Sequence, residues 1–297
     1  MKEKIKELTK QLGMDMCGVA PIERFSGSPE GKNPLDILPG CKSVIVIGIR
    51  LLDGAMQANF RAVEDGRQDL KGIYGMYAYS TFPNFQLAYC VYTIAQFIER
   101  ETGEVATPLS TGPVTNGNQM SIRHAAVAAG LGEIGWMGII ITPEFGTRNR
   151  FGVILTTAEI EPDDMYNGPR LCNPEKCGIC VKVCPAEAMS TYGSGEAYAF
   201  DMDGRHFEYC KLNVPRCNVS LMQLRKKYGG KEDYVSSDEP SMAEIVDAMK
   251  DAFVVNEGIQ DVGTWHCGLC QVYCPTGNWG EKFKARGLSA GVNAIIK

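Results

Sequence analysis

Residues 177–185 read CGICVKVCP and residues 267–275 read CGLCQVYCP, so the pattern C-G-x-C-x3-C-P occurs twice in the chain. A repeated ligand set implies two sites. A C-x2-C step on a turn entering a helix brings two sulfurs to neighbouring irons of one compact cube, while the cysteine before proline points away and, in two-cluster ferredoxins, ligates the other cluster. Crossed in this way, the cysteines predict one [4Fe-4S] cluster on Cys172, Cys177, Cys180 and Cys274, and a second on Cys184, Cys267, Cys270 and one further thiol. Cys210 and Cys217 compete for that place. Cys217 is favoured because it follows a predicted strand and precedes a helical stretch at 218–227, whose free N–H groups stabilise a thiolate. Cys210 falls inside the predicted strand and reads as a packed core thiol.

Nine of the twelve cysteines lie between 172 and 274, while Cys17, Cys41 and Cys90 are scattered and read as small buried hydrophobes. C-x2-C pairs also build zinc sites, but the doubled C-x3-C-P argues for clusters. The N-terminus, MKEKIKELTKQLG, carries charge where a signal peptide needs an apolar stretch. A cytoplasmic location is therefore expected, and in that reducing compartment disulfides are disfavoured. No run reaches the length of a membrane span, so no membrane partner is expected. Thirty basic against thirty-five acidic residues give a net charge of -5 without a basic block, so no footprint for nucleic acid is visible.

The uneven cysteines and the Pro- and Asp-containing stretch at 159–171 divide the chain into expected domains at 1–164 and 165–297. In the first, residues 2–12 place Ile5, Leu8 and Leu12 on one helical face before Gly13. Short apolar runs at 15–20, 43–49, 138–142 and 152–156 predict strands, and Leu87, Val91, Ile94 and Ile98 predict a long helix from Pro83. Alternating strands and helices predict a layered α/β or α+β domain. In the second, Asp203-Gly204 joins two strand-like runs as a hairpin, and Ser241 with Glu244 forms a capping-box pattern before a helix carrying Ile245, Met249 and Phe253. The polar stretch at 226–240 reads as an exposed insertion.

Residues 130–135, GLGEIG, match the dinucleotide fingerprint by letter, but that fingerprint requires a strand before and a helix after. Here HAAVAA precedes and MGIIIT follows, the reverse order, so a helix-to-strand turn with close backbone packing is expected instead. None of the three histidines, His124, His206 and His266, lies in a D-x-H-x-x-G pattern.

The stretch QMSIRHAAVAAGLGEIGWMGIIITPEFGTRNRFGVILTTAEIEPD resembles the cobalamin domain of reductive dehalogenases and epoxyqueuosine reductases, and LPGCKSVIVIGIRL resembles an upstream segment of the same superfamily. With the two cysteine sets, the resemblance covers most of the chain. It implies an α+β protein in which a nitroreductase-like, B12-processing-like α/β domain holds base-off cobalamin beside a ferredoxin-like double-cluster module. Electrons from an external low-potential donor, a ferredoxin or flavodoxin, would pass through the clusters to the corrinoid for a two-electron reduction of a small molecule. The corrinoid-binding residues so implied are Gly130, Leu131, Gly132, Gly135, Trp136, Gly138 and Arg123. Arg123 and Arg148 are candidates for corrin amides or a substrate anion, with a solvated face as the other reading.

The chain departs from the family in several places. The acidic proton donor of epoxyqueuosine reductases corresponds to Ser110, and the given sequence stops soon after the second cysteine motif, before the helical extension found in many of them. Both features set tRNA aside as a partner at this stage. Tyr77 and Tyr79, with Tyr74 beside them, are the candidate catalytic proton donors, ordinary packing being the alternative. Two other functions remain open: reductive activation of a separate corrinoid protein, and a flavin-dependent reductase on the same fold.

Overall fold

In the computed structural model, residues 1–110, 120–255, 267–277 and 279–288 are described, the side chains of 68, 110 and 251–255 excepted. The first half contains α1 (Lys2–Gln11), β1 (Met16–Pro21), α2 (Pro34–Ile37), β2 (Ser43–Arg50), α3 (Asp53–Glu64), α4 (Lys71–Tyr74), α5 (Thr81–Thr102) and β3 (Ala106–Ser110). There follow α6 (Ile122–Ala128), β4 (Glu133–Ile134), β5 (Ile140–Ile141), β6 (Asn149–Thr156), α7 (Ile179–Lys182), β7 (Ala197–Met202) and β8 (Arg205–Cys210). The last elements are α8 (Val214–Leu221), α9 (Met242–Val255), α10 (Leu269–Val272) and α11 (Trp279–Lys284).

The chain forms two compact units, each assembled from separated segments. The first comprises Met1–Arg50, Phe82–Cys172 and Ala199–Glu208; the second comprises Leu51–Thr81, Asn173–Tyr198 and Tyr209–Lys297. The sequence draws one cut at 164/165, whereas these units interleave along the chain.

The first unit is built on a four-stranded sheet of order β1-β2-β6-β3. Every neighbouring pair in it is antiparallel, with Val19 opposite Ile45 and Ile45 opposite Ile154. The α/β label given to this domain therefore needs correction, since sheets of that class are parallel. The Val- and Ile-rich strand β2 is buried from Ser43 through Gly48. Ile45, Ile47 and Ile154 pack against Leu87, Val91, Ile94 and Ile98 of α5 and Ile5 of α1. Each such side chain contributes about 1.5–3 kcal/mol when fully buried. Alternation sends Val44 and Val46 to the opposite face, and α6 packs on β1, β2 and β6.

In the second unit, Phe60 of α3 is the hub of an aromatic core. Its ring lies edge-on to Tyr273 at 5.0 Å and tilted over Trp279 at 5.2 Å. Leu51, Met56, Tyr74, Val272 and Phe283 complete the cluster. A smaller core gathers Val219 and Leu224 with Val235, Ile245 and Ala248. The stretch at 226–240 is mostly exposed, as expected, but it is tied down: Arg225 pairs with Asp238 and Lys226 with Glu232, both at 2.7 Å, and Val235 is anchored in the core. The cap of α9 forms as the sequence predicts, Ser241 N–H donating to Glu244 Oε2 at 2.7 Å and Glu244 N–H to Ser241 Oγ at 3.2 Å. Asp203 and Gly204 turn the β7–β8 hairpin with φ of 51° and 71°, the positive values a type I′ turn requires.

Candidate metal centre and cofactor-binding turn

The sequence repeat is also a repeat of backbone shape. Gly178 (φ 64°, ψ 7°) precedes α7 and Gly268 (φ 55°, ψ 8°) precedes α10, both left-handed, the conformation glycine adopts most readily. Each helix is a single turn, and the two pack against each other. Ile179, Val183, Leu269 and Val272 fix them to the aromatic core of the second unit.

All twelve cysteines are free thiols. Within the second unit, Cys184, Cys217, Cys267 and Cys270 stand in one another's electrostatic field. Burial pushes Cys217 up to about 12, and Cys267, Cys184 and Cys210 push in the same direction. Burial also raises Cys270 far above an ordinary thiol, reinforced by Cys267, Cys217, Cys180 and Cys184. A buried set like this carries negative charge only with a cation among the sulfurs, so its donor chemistry fits a thiolate-ligated iron-sulfur cluster. Among the described residues, no three His, Cys, Asp or Glu converge as the ligands of a single metal ion do. A four-iron cube spreads its thiolates over four irons.

Cys217 does not precede a helix, as expected, but lies in the first turn of α8. Asn213 caps that helix by accepting Arg216 N–H at 3.1 Å, and Pro215 sits in its first turn, so it starts before residue 218. Cys210 ends β8 and is 1% exposed. Cys184 Sγ accepts the Ala188 N–H at 3.3 Å. Cys177 is half-buried and Cys180 buried; the buried Cys274 has its carbonyl bound by the Trp279 indole N–H at 2.8 Å. Cys172 closes a segment of the first unit, where the Trp136 N–H donates to its sulfur at 3.4 Å.

The GLGEIG segment runs from α6 into β4, a helix before and a strand after, which removes the dinucleotide reading. A Cβ added at Gly130 would meet the Asp164 carbonyl oxygen, and one at Gly132 the Ile141 carbonyl oxygen. The turn is thus pinned by backbone on both sides. Leu131 packs next to Gly18, and Gly135 and Gly138 bracket the β4–β5 turn around Trp136, which is buried. Arg123 donates to the Gly138 carbonyl at 2.6 Å, and Glu133 accepts the Leu171 N–H at 2.8 Å. The expected corrinoid residues are thus continuous along one helix-turn-hairpin segment, but Gly132, Gly135, Trp136 and Gly138 are buried and the glycines make room for the protein's own backbone. Next to Arg123, burial and then the arginine charge push His124 down to about 4; its Nδ1 lies 2.6 Å from Ser121 Oγ. Arg148 is buried at the start of β6.

The tyrosine candidates lie in the second unit. Tyr74 is fully buried and its hydroxyl donates to Gln271 Oε1 at 3.1 Å. Tyr77 is 46% exposed, and the Tyr79 ring is 6.0 Å from Tyr74. Residues 111–119, His266 and the Ser110 side chain lie outside the described set. Sequence reasoning missed Asn59, which is buried and donates to the Cys267 carbonyl at 3.1 Å, and Lys71 and Ser220, which act against the burial that raises the Cys267 thiol. A polar residue between Met56 and Phe60 was the signal for Asn59; nothing local marks the other two.

No family model matches the chain. It is 29% identical to an epoxyqueuosine reductase of Staphylococcus aureus, over the whole of this chain and 67% of that protein. It is 28% identical to a tetrachloroethene reductive dehalogenase of Dehalobacter restrictus, over 63% of this chain and 38% of that one. Among solved structures, an epoxyqueuosine reductase bound to an epoxyqueuosine-modified tRNA stem loop superposes with a TM-score of 0.55 at 16% identity, covering 93% of this chain and 65% of that chain. A catabolic reductive dehalogenase superposes at 0.52 and 19% identity, covering 88% of this chain and 35% of that chain. Fold, cysteine repeat and relatives define a class of proteins named as reductases, in agreement with the oxidoreductase expected from the sequence. The chain is similar in sequence to epoxyqueuosine reductases and reductive dehalogenases and shares their fold. It spans about two-thirds of the first of these relatives and just over a third of the second.

These relatives correct the exclusion of tRNA. A protein of the same fold is solved with a tRNA stem loop, and the Staphylococcus aureus relative bears the same name. The exclusion leaned on Ser110 and on the helical extension of the relatives, and neither outweighs that finding. Among the described residues, no helix is long and apolar enough to cross a membrane.

Proposed function

We propose that the chain is a corrinoid-dependent iron-sulfur reductase, with the cysteine turns forming a ferredoxin-like module and the helix-turn-hairpin segment of the first unit forming the corrinoid site. The observation that carries this reading is the doubled C-G-x-C turn, folded twice to the same shape in a chain similar to epoxyqueuosine reductases and reductive dehalogenases. Cys172, Cys177, Cys180 and Cys274 hold one [4Fe-4S] cluster; Cys184, Cys217, Cys267 and Cys270 hold the other. Gly130, Leu131, Gly132, Gly135, Trp136 and Gly138 are the proposed corrinoid segment, with Arg123 fixing its Gly138 end. The sequence offers no D-x-H-x-x-G histidine as lower ligand, so the corrinoid is held base-off. When bound, it supplies the two-electron chemistry that side chains lack. Tyr77 and Tyr79 are the proposed proton donors.

Titration of the anaerobically reconstituted protein with hydroxocobalamin tests this reading. A saturable shift of the corrinoid absorbance is expected, and no shift at a protein excess would sink the corrinoid assignment. A substrate screen sets an epoxyqueuosine-modified tRNA stem loop, as bound by the solved neighbour, beside tetrachloroethene, named in the dehalogenase relatives.

A further inference from the structure

Asn59 lies on α3, far in sequence from the second cysteine turn, yet its side-chain N–H donates to the Cys267 carbonyl at 3.1 Å. It has no freedom there. Asn59 is fully buried, α3 packs on α10, and the next residue, Phe60, holds its ring against Tyr273 and Trp279. A peptide unit is planar, so the bond that fixes the Cys267 carbonyl also fixes which way the Gly268 N–H points. Gly268 makes that restraint necessary. At φ 55° and ψ 8° it holds a conformation open to glycine, and a residue so permissive also lets the peptide before it flip. A flip would reverse a dipole of about 3.5 D attached to a proposed cluster ligand. Stability does not explain the amide. Asn59 Oδ1 is buried and, among the described residues, has no hydrogen-bond partner, which costs free energy. A leucine of similar shape would remove that cost and leave the Cys267 carbonyl orphaned instead, one unpaired acceptor in place of another.

We propose that Asn59 is a positioning residue that locks the Cys267–Gly268 peptide and thereby sets the potential of the cluster on Cys184, Cys217, Cys267 and Cys270. This rests on the cluster reading above. The amide carries no electron; it holds one peptide dipole in a single direction beside a ligand sulfur. Oriented backbone groups and hydrogen bonds around the sulfurs are among the levers that set such a potential. The matching glycine of the first turn, Gly178, has open space around it, so the restraint belongs to one turn of the pair.

The test is a redox titration of full-length, anaerobically prepared holoprotein, followed by low-temperature EPR, on the parent, Asn59→Leu and Asn59→Asp. Asn59→Leu keeps the size and loses the donor, so the EPR signal of one cluster should broaden or split as two peptide orientations become populated. Asn59→Asp is isosteric, cannot donate when ionised and adds a negative charge. The same cluster should then be harder to reduce, its reduced-to-oxidised ratio at a fixed potential falling roughly tenfold, equivalent to about 59 mV for one electron. The other cluster should keep its potential and line shape in both variants. Unchanged potentials and line shapes at full iron content would overturn the proposal, and so would equal shifts of both clusters. Loss of iron from both variants would also overturn it, since Asn59 would then serve assembly. A parent protein without any [4Fe-4S] signal would refute the cluster reading itself, a separate failure.

Discussion

Cys217→Ala is expected to leave about four irons in an anaerobic preparation where the parent carries about eight, while Cys210→Ala retains the full number. The two thiols are seven residues apart in sequence, but their settings differ. Cys217 sits in the first turn of α8 and feels Cys267 and Cys184. Cys210 closes a β-strand and is 1% exposed. Losing a thiolate from a cube leaves an iron open to solvent, and the cluster then falls apart. Losing a core thiol removes one small buried group and costs on the order of 1–2 kcal/mol. Iron and acid-labile sulfide analysis of both variants decides between them. The reverse pattern would move the eighth ligand to Cys210.

Gly268→Ala should be far more damaging than Gly178→Ala, although the two glycines occupy equivalent places in the repeat. Both have positive φ, so alanine costs about 1–2 kcal/mol of backbone strain at either. At Gly178 that is the whole cost, because nothing lies within 4 Å of the added carbon. At Gly268 the new methyl would run into the Tyr74 phenol, with Cζ only 2.5 Å away. Tyr74 cannot retreat, since it is fully buried among Met56, Phe60 and Val272. Overpacking adds about 1–3 kcal/mol, so the melting temperature should fall by several degrees more than for Gly178→Ala. Adding Tyr74→Ala to Gly268→Ala should recover part of the loss relative to Tyr74→Ala alone. Equal melting temperatures for the two glycine variants would contradict the contact.

The parts of the fold that were legible in the sequence are those where a local rule decides alone. Ile5 on the face of α1, the Val and Ile run of β2, the Leu87 to Ile98 spacing of α5 and the Asp203-Gly204 turn each express a periodicity or a backbone requirement that distant contacts do not override. Where neighbours compete, the reading slipped. The run at 138–142 became the two-residue strand β5, because the Gly135–Gly138 turn and the bridge from Thr142 to Gly146 consume its ends. Helix α8 began early because an Asn cap and a proline in the first turn outrank the helical composition that follows. Helix α3 went unread although Ala55, Met56 and Phe60 mark its buried side, and it supplies both the hub of the aromatic core and Asn59.

The candidate site divides in the same way. Cysteine spacing is a local signal, so the eight proposed ligands could be named from the sequence alone. Cys184, Cys217 and Cys267 lie far apart in the chain, and Asn59 meets the last of them only through tertiary packing. No pattern within one segment encodes such a meeting.

Metal analysis of protein isolated without oxygen, combined with EPR of the dithionite-reduced sample, measures the cluster content directly. Two [4Fe-4S] clusters predict about eight irons per chain, a matching amount of sulfide, and the paired signals of two interacting cubes. Stoichiometric zinc, or iron and sulfide for one cube only, would contradict the assignment of these cysteines to two linked clusters.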